Sequence, residues 1–207
     1  PYGSFSGGVD VATGLIDDGG RESVVTAPGP GMEPRIKTWM FDLYTPNGAS
    51  GAAHQHAMRT SSFLAFEDGY TGGVNVATGS VAGKKGGFSR IIAGKQSGAS
   101  TVSVFTSGSA LTGHPEMYLM PADDYAMMAE FTLAARFDAF PGSTAGVDVT
   151  TSANPKSADL VVSGSPNGRA TLAVLDLFQK RPKDTMLSVR PLDRMVMAAP
   201  ISAVGGK

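Results

Sequence analysis

The chain has 207 residues, 42% of them hydrophobic and 17% charged, with a formal net charge of −1. That balance is too apolar for a disordered chain and offers no basic field to attract nucleic acid or an anionic membrane. Cysteine is absent, which excludes disulfides, thiolate metal sites and cysteine nucleophiles, and no apolar run reaches the roughly 18–20 residues that a membrane-crossing helix needs.

Many glycines and prolines (27 and 13) punctuate short apolar runs, which predicts many turns between strands and hence an all-β chain. The first predicted strand lies in Gly7-Gly8-Val9-Asp10-Val11-Ala12-Thr13-Gly14. Ser23–Ala27 and Arg35–Phe41 follow as strands two and three, separated by the turn Pro28-Gly29-Pro30-Gly31. A long insert, 44–60, precedes a fourth strand over Ser62–Phe66. The octamer then recurs as Gly72-Gly73-Val74-Asn75-Val76-Ala77-Thr78-Gly79, with strands over Arg90–Gly94 and Thr101–Phe105, an insert over 107–127, and a strand over Ala135–Phe140. Across the end of that insert, Pro121–Glu130 carries helix-start signals, acids first and then Ala and Met. A third copy, Ala145-Gly146-Val147-Asp148-Val149-Thr150-Thr151-Ser152, leads into Asp159–Gly164 and Ala170–Leu175, with Met186–Arg190 as its fourth strand.

Self-similarity at this spacing defines a repeat protein, with one unit over 1–70, a second over 71–143, a third over 144–193, and 194–207 as a tail or the start of a further element. A four-stranded antiparallel sheet cannot bury both faces alone, so units of this kind stack. The paired glycines ahead of each first strand suit a strand crowded near an axis. Together these features predict three β-propeller blades. Three blades do not close a ring, since propellers typically have about four to eight. A larger propeller, or one completed by other chains such as a second copy, is expected. Pro1–Phe5 reads as the linker that follows a preceding blade, which favours a fragment of a longer propeller.

The string Phe63-Leu64-Ala65-Phe66-Glu67-Asp68-Gly69-Tyr70-Thr71-Gly72-Gly73-Val74-Asn75-Val76-Ala77-Thr78-Gly79 resembles FG-GAP-type (VCBS-like) repeats, and the resemblance extends through most of residues 1–178. These repeats occur in large bacterial surface and secreted proteins and are related to the integrin α propeller. The resemblance implies propeller blades and an extracellular, cell-surface or periplasmic location. It also implies a calcium loop between strands one and two, where alternate oxygen ligands turn inward on a hard cation. The first unit keeps Asp17, Asp18 and Glu22 there, with Leu15 and Gly19 where further acids would stand. The second has Lys84 and Lys85 and no acid, and the third offers Asn154 and Asp159, so solvated turns without an ion are expected in both.

All three histidines, His54, His56 and His114, fall in the predicted inserts, with Met58, Met117 and Met120 near them in sequence. A His/Met cluster suits copper, and imidazoles also accept zinc; the plainer reading is exposed polar residues and methionines filling irregular contacts. No GxSxG elbow, P-loop or HExxH occurs, and nothing supplies the apolar pocket that would split the pKa values of Asp17, Asp18 and Glu22. The expected function is therefore a non-catalytic structural or protein-interaction module, partnered by other chains or by further blades. The alternatives are a lectin-like ligand-binding propeller and an accessory subunit of a metalloenzyme. A lectin-like propeller needs an aromatic platform repeated at one blade position. Aligning Phe41, Phe105 and Leu175 makes Ser103 and Ala173 the counterparts of Trp39, which counts against it.

Overall fold

The computed structural model describes residues 2–16, 22–44, 54–79, 89–107, 130–151, 159–165, 168–179 and 187–196; within these, side chains are described outside 41–44, 54–58, 159, 176–179 and 187–196. The chain is all-β. Sheet I contains β1 (Val9–Gly14), β2 (Ser23–Pro28), β3 (Arg35–Tyr44) and β4 (His54–Leu64). Sheet II contains β5 (Val74–Gly79), β6 (Arg90–Lys95), β7 (Thr101–Ser107) and β8 (Phe131–Asp138). Sheet III contains β9 (Asp148–Thr151), β10 (Asp159–Gly164), β11 (Thr171–Gln179) and β12 (Leu187–Val196). Each is a four-stranded antiparallel meander in chain order. Among the described residues no helix is long and apolar enough to cross a membrane.

Strand pairing fixes which residues of the three sheets are equivalent. Val24 pairs with Trp39, Ile91 with Phe105 and Leu160 with Leu175. At that same step each sheet carries a register shift between its third and fourth strands: between Thr38 and Trp39, Val104 and Phe105, and Val174 and Leu175. The pairing skips one residue of the fourth strand each time, namely Thr60, Ala134 and Leu192. Such a bulge bends the strand and increases its local twist. In sheet I the skipped Thr60 and its neighbour Thr38 are buried and bond hydroxyl to hydroxyl at 2.7 Å. The equivalent pair in sheet II, Val104 and Ala134, is apolar and equally buried.

This register corrects the alignment made from sequence. The counterparts of Trp39 are Phe105 and Leu175, not Ser103 and Ala173; those two correspond to Lys37. The fourth strands also begin earlier than expected, at His54 and Phe131, and β12 runs on to Val196. His54 and His56 therefore lie in β4, opposite Tyr44 and Asp42, rather than in an insert over 44–60. The cause is composition: His54–Ser61 is mostly polar and hides its strand character. The sequence-predicted helix at 121–130 falls almost wholly outside the described residues.

Two apolar clusters hold the sheets together, and each draws on two sheets. The first joins Val25, Ala27 and Ile36 of sheet I to Val74, Val76, Ile91, Ala93 and Phe105 of sheet II. The second joins Ile92, Val102 and Val104 of sheet II to Val147, Leu160, Val162, Ala173 and Leu175 of sheet III. Neighbouring β6 residues Ile91 and Ile92 belong to opposite clusters, as the two-residue period of a strand requires. Sheet II is thus sandwiched, with β1 beside β5 and β5 beside β9. Each sheet has a leading face, turned toward the sheet before it, and a trailing face, turned toward the sheet after it.

Candidate functional site

The most specific chemistry in the described residues sits where one sheet meets the next, along β1, β5 and β9. Asp10, Asn75 and Asp148 are equivalent by register, since they oppose Ala27, Gly94 and Ser163. The Asp10 Oδ2 accepts the Val76 amide of the next sheet at 2.6 Å. Asn75 reaches forward in the same direction, its Nδ2 donating to Val147 O at 3.0 Å and to Asp148 Oδ1 at 2.6 Å. Three residues along, Thr78 donates its hydroxyl to Thr13 O, and Thr151 donates to Thr78 O at 2.6 Å. Threonines at one repeat position thus form a ladder from sheet to sheet, each tied to the carbonyl of its counterpart. A Cβ at Gly14 would run into Thr78, and one at Gly79 into Thr151, so both glycines are needed for this approach.

Ahead of these strands the connecting turns also cross the junctions. Gly31 N donates to Thr71 O at 2.9 Å, and Val147 N to Lys95 O at 2.7 Å. Lys95 is buried and forms an ion pair with Glu67, with the Phe66 and Tyr70 rings 5.3 and 4.5 Å from its ammonium. The Lys95 hydrogen bond holds the Glu67 carboxyl below its ordinary value. A small polar cleft opens at the second junction, lined by Asn75, Gln96, Asp148, Ser163 and Ser165. Its amides are already engaged with protein groups: Gln96 Nε2 donates to Asn75 Oδ1 at 2.8 Å, and Asn75 donates as above. The cleft is thus built as a strut between sheets.

Among the described residues no sheet lies against the leading face of sheet I. Val9 and Val11 are 41% and 54% exposed, whereas their equivalents Val74 and Val76 are 0% and 6% exposed. Trp39, half-buried, donates its indole N–H to Thr26 Oγ1 at 3.0 Å on this face. Tyr2 lies across it, its hydroxyl 2.8 Å from both Thr26 O and Arg35 O, with the Lys37 ammonium 4.6 Å from the centre of its ring. Burial pushes the Tyr2 phenol up to about 12, against the lowering effect of its Thr26 hydrogen bond. Burial, and then Arg59 and Arg35, hold the Lys37 ammonium below its ordinary value.

Most of the metal-ligand candidates from sequence fall outside the described side chains. Among the described residues no group of three His, Asp or Glu side chains is placed to hold a metal ion. Of the calcium candidates, Glu22 is exposed, while Asp17 and Asp18 lie outside the described residues, as does His114. His54 and His56 are placed by their backbone alone. Sequence reasoning missed the Asp10/Asn75/Asp148 and Thr13/Thr78/Thr151 contacts. Their signal was visible as an acid or amide and a threonine kept at fixed places in the octamer. Comparison with family models, with curated proteins and with solved structures gave no match to this chain.

Proposed function

We propose that this chain is a run of β-propeller blades acting as a non-catalytic structural and protein-interaction module. The observation that carries this reading is the stacking of sheet II between sheets I and III through equivalent contacts repeated at both junctions. The polar side chains of Asp10, Asn75, Thr78 and Thr151 at the junctions join one sheet to the next, which supports a structural role for them. The resemblance to FG-GAP-type repeats supports an extracellular or periplasmic assembly as its setting. A lectin-like reading gains nothing from the corrected alignment, because Phe105 and Leu175, the counterparts of Trp39, are 4% and 6% exposed and so form no ligand platform. Light scattering with elemental analysis on the native species tests the proposal. It predicts a mass above that of one 207-residue chain and no stoichiometric metal. A stable single chain carrying one copper or zinc ion would contradict it and return attention to His54, His56 and His114.

A further inference from the structure

We infer that the leading face of sheet I is the seat of one further blade of this same repeat, whose trailing face is of the sheet I kind; this rests on reading the three sheets as stacked blades. The face carries the receiving half of a contact seen twice elsewhere in the molecule. Val9, Val11 and Thr13 on β1 repeat Val74, Val76 and Thr78 on β5, and Val147, Val149 and Thr151 on β9. In the second and third sheets these positions are covered by the sheet before; in the first they face outward. Val24 and Trp39 likewise hold the places of Ile91 and Phe105, both buried against sheet I. Such a patch of apolar side chains, continuous with an interface type already used, marks a docking surface.

Tyr2 strengthens the assignment. An aromatic follows the fourth strand of each earlier sheet, Phe66 after sheet I and Phe140 after sheet II, and each packs in the cluster at the junction it introduces. Phe140 stands seven residues ahead of Val147, and Tyr2 seven ahead of Val9. Tyr2 is already seated on the leading face through Thr26 and Arg35. The wedge of the contact is in place, and among the described residues no sheet flanks it.

The trailing face of sheet III in a second copy is a poor match for the occupant. Where the trailing faces of sheets I and II present Ala12 and Ala27, or Ala77 and Gly94, sheet III presents Thr150 and Ser163. At Gly94 even a Cβ would come within 2.9 Å of Val147 O on the next sheet. Larger polar groups at these places would hold a neighbouring sheet away. The occupant therefore has small residues at both positions.

The test is a tandem chain in which residues 1–65 are repeated ahead of Tyr2, with Trp39→Phe in the added copy, so that the original Trp39 is the sole tryptophan. The inference predicts a blue shift of Trp39 emission and loss of most acrylamide quenching relative to the 207-residue chain. Val11→Arg in the original sheet I should abolish both changes. Unchanged emission and quenching, or a shift that survives Val11→Arg, would overturn the inference. Degradation of the added blade while the remaining residues stay folded overturns it equally, since a blade with the matching half has then found no seat. Gly79→Val in the 207-residue chain separates the two levels: a fall in Tm leaves blade stacking standing whatever the tandem chain does, and no fall removes the stacking itself.

Discussion

The first strands of sheets I and II are nearly the same sequence in two environments. Val9-Asp10-Val11-Ala12-Thr13-Gly14 and Val74-Asn75-Val76-Ala77-Thr78-Gly79 differ at one position, yet the valines of β1 face outward while those of β5 are buried. Local preference is therefore the same and cannot account for the difference. What differs is whether another sheet lies in front. Burial of a valine is worth about 1.5–3 kcal/mol relative to exposure, so the same residues stabilise the second sheet and do little for the first.

The sharpest way to break this comparison is to put a charge at the two equivalent valines. Val76→Asp should cost about 3–5 kcal/mol, because the carboxylate would lie buried without a partner. Val11→Asp should change stability by less than about 0.5 kcal/mol, as at an exposed site. Chemical denaturation of both variants checks the pair, and equal losses would mean that β1 is covered too.

Truncation gives a milder version. Ile91→Ala, at a fully buried side chain between sheets I and II, should cost about 2–5 kcal/mol, and Val24→Ala on the open face distinctly less. Denaturant midpoints with unchanged m-values would show that both act on the folded state.

Tyr2→Phe, on the same open face, is the change that responds to pH. Loss of the hydroxyl leaves Thr26 O and Arg35 O without this donor and should cost about 1–3 kcal/mol. The phenol titrates near 10 when the chain is unfolded and near about 12 when folded. Between these values the folded chain binds more protons, so this stabilisation is fully present below pH 10 and is lost as pH rises toward 12. Thermal melts across that window should show a decline in wild type that is reduced in Tyr2→Phe.

Much of this was legible in the sequence, and the failures have physical causes. The octamers revealed the repeat because Val9, Val11 and their equivalents serve one contact, and a contact used repeatedly keeps its residues alike. The apolar runs Ser23–Ala27 and Arg90–Gly94 became β2 and β6 almost unchanged, since Val25, Ile91 and Ile92 face packed sheets. The Trp39 alignment failed because apolar position alone was used to match Phe41 with Phe105, and the pairing partners that set true register are not local in sequence. The start of β4 was missed because His54–Ser61 lacks a clean apolar alternation. The roles of Asp10 and Asn75 were hidden for another reason. Each reaches across to the next sheet, and such partners emerge once the sheets are stacked.

The central claim is that each junction closes on the backbone of the following sheet, and amide exchange in the 207-residue chain tests it most directly. Val76 N–H is held by Asp10 across the first junction, while the equivalent Val11 N–H donates to the carboxylate of its own neighbour, Asp10 Oδ1, at an exposed site. The account predicts strong protection at Val76, little at Val11, and selective loss at Val76 in Asp10→Ala. Equal exchange at the two valines, or protection at Val76 that ignores Asp10→Ala, would contradict it.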